Sequence, residues 1–457
     1  MTRFSALSDS LGFMRIPFLT LILAALPAGL AGADTAPSLT VATNRDLYLE
    51  GVPNRVYLEA RVSVPPEDAA TPPAPLNIAY VLDRSGGLAG EPIQSLRRAM
   101  SVALNTLGAS DTVSLVLFGS QVDTLVESRH RDQLGDLDQL LAHIEPAGGS
   151  ALYDALNQGA AQLRRSAGPG VISHLVLVTA GKPTKGPTEP GDFAKLAALF
   201  NREGITLSTI GVGPDFNEDL LAGLARAGGG RFRFASQPAR LAEALQAETT
   251  LQRSIAARDA VLTFEFNHDC TEVKSYGWAP TTVVGTTVAV TLSQLPAGHE
   301  ISVLASAQTP DGSIRCNVAT VRLRWLDNVE GKPRETAVPV TVILDRSSDM
   351  VHRSINPAVI HATVTAVISD AMQKAIEQID RGEFRRAERT LRSARADALS
   401  LNADAADPVA EARIRQLDAY LAEVQARGLS QLDRKILRSG LYNQFEPPTS
   451  DPHADDR

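Results

Sequence analysis

The fold of this chain is decided by the stretch Leu76-Asn77-Ile78-Ala79-Tyr80-Val81-Leu82-Asp83-Arg84-Ser85-Gly86-Gly87. Residues 78–82 form a short apolar run between turn residues, which predicts a strand of a parallel sheet covered on both faces. A helix is predicted from about Glu91. Asp83 and Ser85 follow the strand directly, at the end where open α/β sheets bind ligands. Their oxygen atoms suit a hard cation such as Mg²⁺.

This strand–Asp-x-Ser–helix pattern resembles that of a von Willebrand factor A-type domain, in which the motif is Asp-x-Ser-x-Ser. In that family a Thr from a second loop and an Asp from a third loop complete a metal-ion-dependent adhesion site. The resemblance places Ser150, within residues 146–156, in the Thr position, and residues 175–184 at the third loop. Gly87 stands in place of the second Ser, and Ala180 stands in place of the Asp.

The metal ligands that the resemblance implies are therefore Asp83, Ser85 and Ser150, in a degenerate site. A carboxylate at position 180 would orient metal-bound water, a role worth roughly 10–100-fold in affinity. Its loss, with that of the hydroxyl at position 87, predicts weak binding of Mg²⁺ or another divalent cation, or none. The alternative is structural: Asp83 and Ser85 cap the following turn or accept hydrogen bonds from nearby loop amides.

Residues 76–252 alternate between strand and helix patterns, which predicts a doubly wound, mainly parallel sheet with right-handed crossovers. The predicted strands are Ile78–Leu82, Val113–Phe118, Val171–Val178, Ile205–Ile210 and Arg231–Phe234. The predicted helices are Glu91–Leu107, Ala151–Arg165, Asp192–Asn201, Asn217–Ala225 and Pro238–Leu251, with a shorter one over Asp132–His143.

Strand patterns without helices surround this α/β region. Residues 36–65 and 258–346 predict a single β-sandwich into which the A-type domain is inserted, with a proline-rich linker between residues 65 and 75. This order resembles bacterial secreted proteins with A-type domains and relatives of the inter-alpha-trypsin inhibitor heavy chains and calcium-activated chloride channel regulators. A second apolar run followed by an Asp-x-Ser sequence occurs at Asp345, Ser347 and Asp349 and resembles the first motif. We interpret it as the end of a strand followed by a polar turn.

The C-terminal part is predicted to be helical over residues 356–438, with helices at Ala362–Ile379, Phe384–Leu399 and Pro408–Arg427. Asp380-Arg381-Gly382-Glu383 is typical of a helix end followed by a turn. The polar segment 446–457 is predicted to be disordered.

Residues 1–33 predict a secretory signal peptide with cleavage near Ala33. The apolar run from Ile16 to Leu30 is about fifteen residues long, short of the roughly 20 that a membrane span needs, although a membrane anchor is the alternative. No other stretch is long and apolar enough to span a membrane, so the mature protein is expected to be secreted or periplasmic. In an oxidising compartment Cys270 and Cys316 could form a disulfide or remain two buried thiols.

The charge distribution and the motifs of the sequence argue against several classes of function. The net charge of −8 is spread along the chain without a basic stripe, which argues against nucleic acid as a partner. The eight histidines form no metalloprotease motif, and neither a Gly-x-Ser-x-Gly elbow nor a phosphate loop occurs, so an enzyme is not expected. The first hypothesis is an extracytoplasmic protein-binding module that uses the loops at the carboxyl end of the sheet. The alternatives are divalent-cation-dependent adhesion through a weakened Mg²⁺ site and a secreted hydrolase.

Overall fold

The computed structural model describes residues 36–66 and 74–426, except residues 169, 214, 236, 238–239, 278, 312–314, 329–330 and 404. The signal peptide predicted at residues 1–33 and the disordered tail predicted at 446–457 lie outside the described residues. Most of the linker predicted between residues 65 and 75 does so too.

The first three strands are β1 (Ser38–Thr43), β2 (Leu47–Leu49) and β3 (Arg55–Ser63). In β3 the alternating residues Val56, Leu58, Ala60 and Val62 are all fully buried. This alternation buries one face of the strand in an apolar core, as its sequence predicts. Strand β1 pairs antiparallel with β3.

A six-stranded sheet forms the centre of the A-type domain. Its strands are β4 (Leu76–Asp83), β5 (Thr112–Phe118), β6 (Val122–His130), β7 (Ile172–Thr179), β8 (Ile205–Val212) and β9 (Gly229–Ala235). They lie in the order β6-β5-β4-β7-β8-β9, and every pair is parallel except β5–β6. Every residue of the central strand β4 is buried, because the sheet is covered on both faces.

Six helices flank this sheet: α1 (Glu91–Asn105), α2 (Leu137–Ala142), α3 (Leu152–Arg165), α4 (Pro190–Arg202), α5 (Glu218–Ala227) and α6 (Leu241–Arg253). Ile78, Tyr80 and Leu82 of β4 share an apolar cluster with α1 and α6. Ala79 and Val81 point the other way, into a cluster with α3, α4 and α5. The doubly wound, mainly parallel fold that the sequence predicts is confirmed.

Two local features of this domain differ from the sequence-based expectation. Strand β6 was not predicted, because Val126 is its only buried residue and an edge strand of this kind lacks an apolar pattern. The helix expected over Asp132–His143 begins later, at α2. Gly135 has a φ of +70°, and the Asp136 side chain caps α2 by accepting hydrogen bonds from the amides of residues 138 and 139.

The β-sandwich continues with β10 (Ile255–Phe266), β11 (Thr271–Tyr276), β12 (Thr281–Val284), β13 (Thr287–Pro296), β14 (Glu300–Gln308), β15 (Arg315–Asp327) and β16 (Pro333–Asp345). One sheet has the order β1-β3-β14-β11, and the other has the order β12-β13-β10-β15-β16-β2. The strands that precede the A-type domain therefore pair with strands that follow it. An apolar core that includes Leu58, Phe264 and Trp325 lies between the two sheets.

Although the sequence pattern from Thr282 to Leu292 predicts a single strand, the structure divides this stretch between β12 and β13. Gly285 has a φ of +59°, and the turn at this glycine folds β12 back against β13 as a hairpin. The second Asp-x-Ser motif ends β16 and starts a short helix, α7 (Ser348–Arg353). There the Ser347 side chain accepts a hydrogen bond from the amide of Met350 and so caps α7.

Cys270 is buried immediately before β11, with its Sγ 3.9 Å from the carbonyl oxygen of Val318. Cys316 lies in β15, where its backbone pairs with Val342. The disulfide between the two cysteines stays a prediction.

The C-terminal helices are α8 (Pro357–Asp380), α9 (Phe384–Asn402) and α10 (Pro408–Ala426). They share an apolar core, and α8 also packs on the outer face of the sheet formed by β3, β14 and β11. Helix α8 begins earlier than the sequence suggested because the Asn356 side chain caps it and Pro357 occupies its first turn. Within the described residues, no helix combines the length and the hydrophobicity that crossing a bilayer requires.

Candidate functional site

The predicted site residues lie on loops at the carboxyl end of the A-type sheet. Three segments, residues 84–88, 146–151 and 180–185, form what we call the carboxyl-end face. The amide of Arg84 donates to the carbonyl of Phe118 at 2.8 Å, and the amide of Ala147 donates to the carbonyl of Arg84 at 2.6 Å. These backbone bonds fix the first loop against the end of β5 and against the second loop.

The carboxylate of Asp83 is completely buried and is held by three protein donors. Its Oδ1 accepts the amide of Ser85 at 2.7 Å. Its Oδ2 accepts the Thr179 hydroxyl at 2.6 Å and the Ala180 amide at 3.3 Å. Both oxygens are therefore engaged by the protein, as the structural alternative for Asp83 expected.

Ser85 lies beside this carboxylate at the start of a short 3-10 turn, Gly86–Leu88. Its side chain is 8% exposed and makes no capping hydrogen bond. A Cβ atom placed on Gly181 would lie 3.9 Å from both Asp83 Oδ2 and Ser85 Oγ. The fold thus brings Asp83, Ser85 and the third loop together, as the motif positions predict.

Ser150 connects the second loop to the third. Its amide donates to the Thr184 hydroxyl at 2.8 Å, and its carbonyl accepts the amides of Thr184 and Lys185 at 2.9 and 3.1 Å. The Ser150 side chain is only 2% exposed, and its Oγ has no hydrogen-bond partner among the described residues. A buried hydroxyl without a partner is costly and is available to a ligand.

The two residues that replace the family's ligands sit differently. Gly87 is exposed, and a Cβ at this position would meet no atom within 4 Å. Nothing in the packing therefore requires glycine there. Ala180 is partly buried, and it packs against the apolar cluster on the α1 side of the sheet. Its backbone amide is the group that contacts Asp83.

This donor set fits a tightly held divalent cation poorly. Asp83 supplies the carboxylate, but its oxygens already accept three hydrogen bonds. Over the described ranges, no group of three or more His, Cys, Asp or Glu side chains comes together as a metal would require. Mg²⁺ takes six oxygen ligands, several of them usually water, and is commonly held by one or two carboxylates, whereas Ca²⁺ takes six to eight oxygen ligands. The hydroxyls of Ser85 and Ser150 are neutral, so they would add little to the electrostatic attraction of the ion.

Two residues at this end of the sheet, Thr179 and Lys185, were not predicted from the sequence. Thr179 ends β7, the parallel neighbour of β4, so its position next to Asp83 could have been found from the strand order. Lys185 was less accessible to prediction: its Nζ donates to the carbonyl of Ser120 at 3.0 Å, a contact that depends on two loop conformations.

Two exposed lysines and one arginine in an ion pair lie on this face. Lys182 and Lys185 are exposed on the third loop. Arg84 is paired with Asp123 in an ion pair at the end of β6, and its side chain is 17% exposed. Two lysine ammonium groups on one loop give the carboxyl-end face a local positive charge.

The fold and the position of this face define a class: a doubly wound domain whose loops gather at the carboxyl ends of its strands, the end at which open α/β sheets generally bind ligands. Residues 77–248 match the family model of the von Willebrand factor type A domain. The protein therefore contains a von Willebrand factor type A domain, as its motifs suggested.

Relatives and solved structures agree with this assignment. The chain is 24% identical over 164 residues to the Synechocystis sp. protein sll0103, and 29% identical over 161 residues to inter-alpha-trypsin inhibitor heavy chain H2 of Mus musculus. These matches cover 36% and 34% of this chain but only 38% and 17% of the relatives' lengths.

Two solved structures extend the likeness beyond the A-type domain. A von Willebrand factor type A protein from Catenulispora acidiphila superposes with a TM-score of 0.61 at 17% identity, covering 82% of this chain and 91% of its own. The ArnB paralog VWA2 from Sulfolobus acidocaldarius superposes with a TM-score of 0.59 at 20% identity, covering 90% and 98%. At these identities the likeness establishes the shared fold alone.

Proposed function

We propose that this is an extracytoplasmic protein-binding module whose carboxyl-end face binds another protein without a resident metal ion. The A-type domain supports this proposal, since such domains commonly mediate protein interaction. The observation that carries it is the state of Asp83, whose two carboxylate oxygens are both occupied by donors of the protein.

The two exposed lysines of the carboxyl-end face suggest how binding would work without a cation. In an adhesion site the metal attracts an acidic side chain of the partner. Here the exposed ammonium groups of Lys182 and Lys185 lie on the third loop and could provide that attraction. Lys185 uses one of its three donors on Ser120, which leaves two for a partner carboxylate.

The decisive experiment compares capture of partners by charge variants of the full chain. Wild type should retain a partner from the native envelope fraction equally in Mg²⁺ and in EDTA. The double variant Lys182→Glu/Lys185→Glu should lose it. Lys195→Glu/Lys274→Glu, which reverses two exposed lysines away from this face, is the matched control and should behave like wild type. Partner binding that EDTA abolishes would refute the metal-free mechanism.

The second candidate is divalent-cation-dependent adhesion, and the unpartnered Oγ of Ser150 favours it. Calorimetric titration with Mg²⁺, Mn²⁺ and Ca²⁺ separates the two mechanisms. Binding at about millimolar concentration or tighter that Asp83→Ala abolishes would support the second candidate. No heat of binding at those concentrations supports the first.

The extracytoplasmic location rests on the sequence of residues 1–33. N-terminal sequencing of the mature protein, purified from fractionated cells, should begin at Asp34. A protein that keeps its first 33 residues would contradict the location.

The proposal assigns no catalytic role to the protein. Turnover of a substrate in a hydrolase screen would contradict that part of the proposal.

A further inference from the structure

Strand β12 forms an open edge of the β-sandwich. It is the outermost strand of the sheet β12-β13-β10-β15-β16-β2, and in the described part of the chain no strand pairs with its other side. All its residues are exposed, Val283 to 49% and Val284 to 70%. Edge strands are commonly protected by charges, prolines or bulges, and β12 has none of these. Its threonines and valines also favour the extended conformation.

The free backbone groups of β12 belong to Thr281 and Val283. Residue pairs in antiparallel strands alternate between those that exchange hydrogen bonds and those that do not. The amide of Thr291 donates to the carbonyl of Pro280 at 2.9 Å, so the next pair, Thr281 with Val290, is not hydrogen-bonded. The amides and carbonyls of Thr281 and Val283 therefore point away from β13. Each residue can exchange two hydrogen bonds with an added strand, roughly four in all.

The side chains of Thr281 and Val283 lie on the inner face of the sheet. They are paired across the hairpin with Val290 and Val288, which are both buried in the core of the sandwich. Residues directly opposite each other share a face. Thr281 and Val290 also line a cleft of about 170 Å³. A residue that pairs with Thr281 from an added strand therefore points its side chain toward this cleft.

The cleft suits an apolar side chain. Its wall is mainly apolar and includes Leu251 and Ile255 from the junction with the A-type domain, and Leu292 and Val303 from the sandwich. A cavity of about 150 Å³ holds one benzene molecule, so the cleft has room for a side chain of the size of leucine.

Two arginines in the wall, Arg226 and Arg231, have acidic neighbours of their own. Arg226 also lines a neighbouring cleft with Asp219 and Glu377, and the charge of Arg231 acts on the buried carboxylate of Glu248. We therefore assign neither arginine a part in recognition. Because β12 itself carries no charge, an uncharged segment complements it.

A single extended segment fits this edge better than a second copy of the chain does. Stable interfaces between proteins involve about 20–30 residues on each side, and β12 contributes only 4. A peptide that adds as a strand gains affinity from backbone hydrogen bonds and specificity from pockets that take alternate side chains. The edge of β12 and the cleft supply these two elements.

We propose that β12 binds an extended, uncharged peptide segment of a partner protein as an added antiparallel strand, with an apolar side chain of that segment in the cleft. The cleft lies by the amino-terminal end of β9, whereas the carboxyl-end face lies at the other end of the parallel strands. This site is therefore a second interaction surface, separate from the one that the proposed function uses.

The probe is a synthetic octapeptide that alternates threonine and leucine between terminal lysines, titrated into the full chain by calorimetry. It should bind with one-to-one stoichiometry at about millimolar concentration or tighter. Methylation of the leucine amides, which face β12 in the bound strand, should abolish binding. Methylation of the threonine amides, which face away, is the matched control and should retain it. No binding of the parent peptide at about 1 mM, or equal effects of the two methylation patterns, overturns the proposal.

The leucine side chains of the probe test the cleft. Replacing them by serine should weaken binding by about tenfold or more, because burial of a leucine side chain is lost. Thr281→Phe should reduce this preference for leucine over serine, since its ring occupies the mouth of the cleft. Thr282→Phe, on the opposite face of the strand, is the matched control and should keep the preference. An unchanged preference in Thr281→Phe refutes the assignment of the cleft.

Val283→Pro tests the edge of the strand. Proline removes an amide that does not bond to β13, at an edge position where proline is tolerated, so the unfolding temperature should be kept. Peptide binding should fall by about fivefold or more, whereas Val283→Ala, which keeps the amide, should stay within about twofold of wild type. Equal binding by the two variants contradicts pairing at this edge. If the proline variant unfolds at a lower temperature, the methylated peptides decide the result.

Two further measurements separate this site from other interpretations. Lys182→Glu/Lys185→Glu should bind the octapeptide like wild type, and a loss of binding there would place the peptide on the carboxyl-end face and overturn the proposal. Sedimentation velocity of the chain alone should show no association through β12. A concentration-dependent dimer that Val283→Pro abolishes would assign this edge to a second copy instead.

Discussion

The hydroxyl of Thr179 donates a hydrogen bond of 2.6 Å to Asp83 Oδ2, across the ends of the parallel strands β7 and β4. Both residues are completely buried. This bond satisfies a buried carboxylate with a protein donor, in a position where the family's metal site depends on the same carboxylate. The hydrogen bond from Thr179 therefore favours a structural role for Asp83 over a role as a metal ligand.

Replacing Thr179 by Val should lower the free energy of unfolding by about 1.5–3 kcal/mol, because a buried carboxylate loses a donor. Thr209→Val is the matched control: this buried hydroxyl donates to the neutral carbonyl of Leu221, so its loss should cost only about 0.5–1.5 kcal/mol. Denaturant unfolding measures both. An equal decrease in the free energy of unfolding of the two variants would show that the bond to Asp83 contributes no more than a bond to a neutral carbonyl.

The double variant Gly87→Ser/Ala180→Asp should create or strengthen divalent-cation binding. The serine fits because nothing lies within 4 Å of a Cβ at position 87, and the aspartate returns a carboxylate beside Asp83. Restoring such a group is expected to raise affinity roughly 10–100-fold. Calorimetric titration with Mg²⁺ and Mn²⁺ measures the change.

The control for this prediction is the same double variant carrying Asp83→Ala as well, which should bind no cation. If the double variant binds no better than the parent protein, the assignment of these loops to the family's metal positions is wrong.

Gly159 of α3 should be intolerant of even a methyl group. A Cβ there would lie 2.6 Å from Val81 Cγ2 on the buried strand β4, so Gly159→Ala should destabilise the protein by about 1–3 kcal/mol. Gly223→Ala in α5 meets no atom within 4 Å and should instead stabilise by about 0.5–1 kcal/mol through helix propensity. The unfolding temperatures of the two variants distinguish a steric effect in the core from an effect of helix propensity. Shifts of the unfolding temperature in the same direction would contradict this prediction.

Glu248 should make the stability of the A-type domain depend on pH. Burial raises the pKa of this carboxyl, but the hydrogen bond and charge of His174, with the charges of Arg233 and Arg231, outweigh burial and hold the pKa below its ordinary value of 4.5. A carboxyl with a lowered pKa in the folded state stabilises the fold above its unfolded pKa. That stability is lost as the pH falls from there toward the folded pKa.

Glu248→Gln should therefore lower the free energy of unfolding at neutral pH by about 3–5 kcal/mol, because it leaves the buried partners of Glu248 without their counter-charge. The difference from wild type should shrink as the pH is lowered below about 4.5. Urea unfolding over this pH range measures it, with exposed Glu189→Gln as the control, expected to change stability by less than about 0.5 kcal/mol. A difference that stays constant with pH would rule out the charge of Glu248 as the cause.

The sequence by itself determined the five parallel strands of the A-type sheet and the end of that sheet at which the motif residues lie. The apolar run 78–82 is buried on both faces wherever it sits in a parallel sheet, and the motif spacing carries Asp83, Ser85 and Ser150 to one end of that sheet. It also determined that Gly87 and Ala180 offer no side-chain oxygen to a metal ion. These features follow from local pattern and side-chain chemistry, which need no knowledge of distant contacts.

Only the tertiary structure decided what occupies the oxygens of Asp83. That depends on Thr179, which lies 96 residues away in the chain and adjacent in space. The same holds for edge strand β6, which carries no apolar pattern, and for the cleft that joins Gln252 to residues of the sandwich. Hydrogen-bond satisfaction and cavities arise where separate elements meet, so their geometry is fixed by packing between elements rather than by the pattern of any one segment.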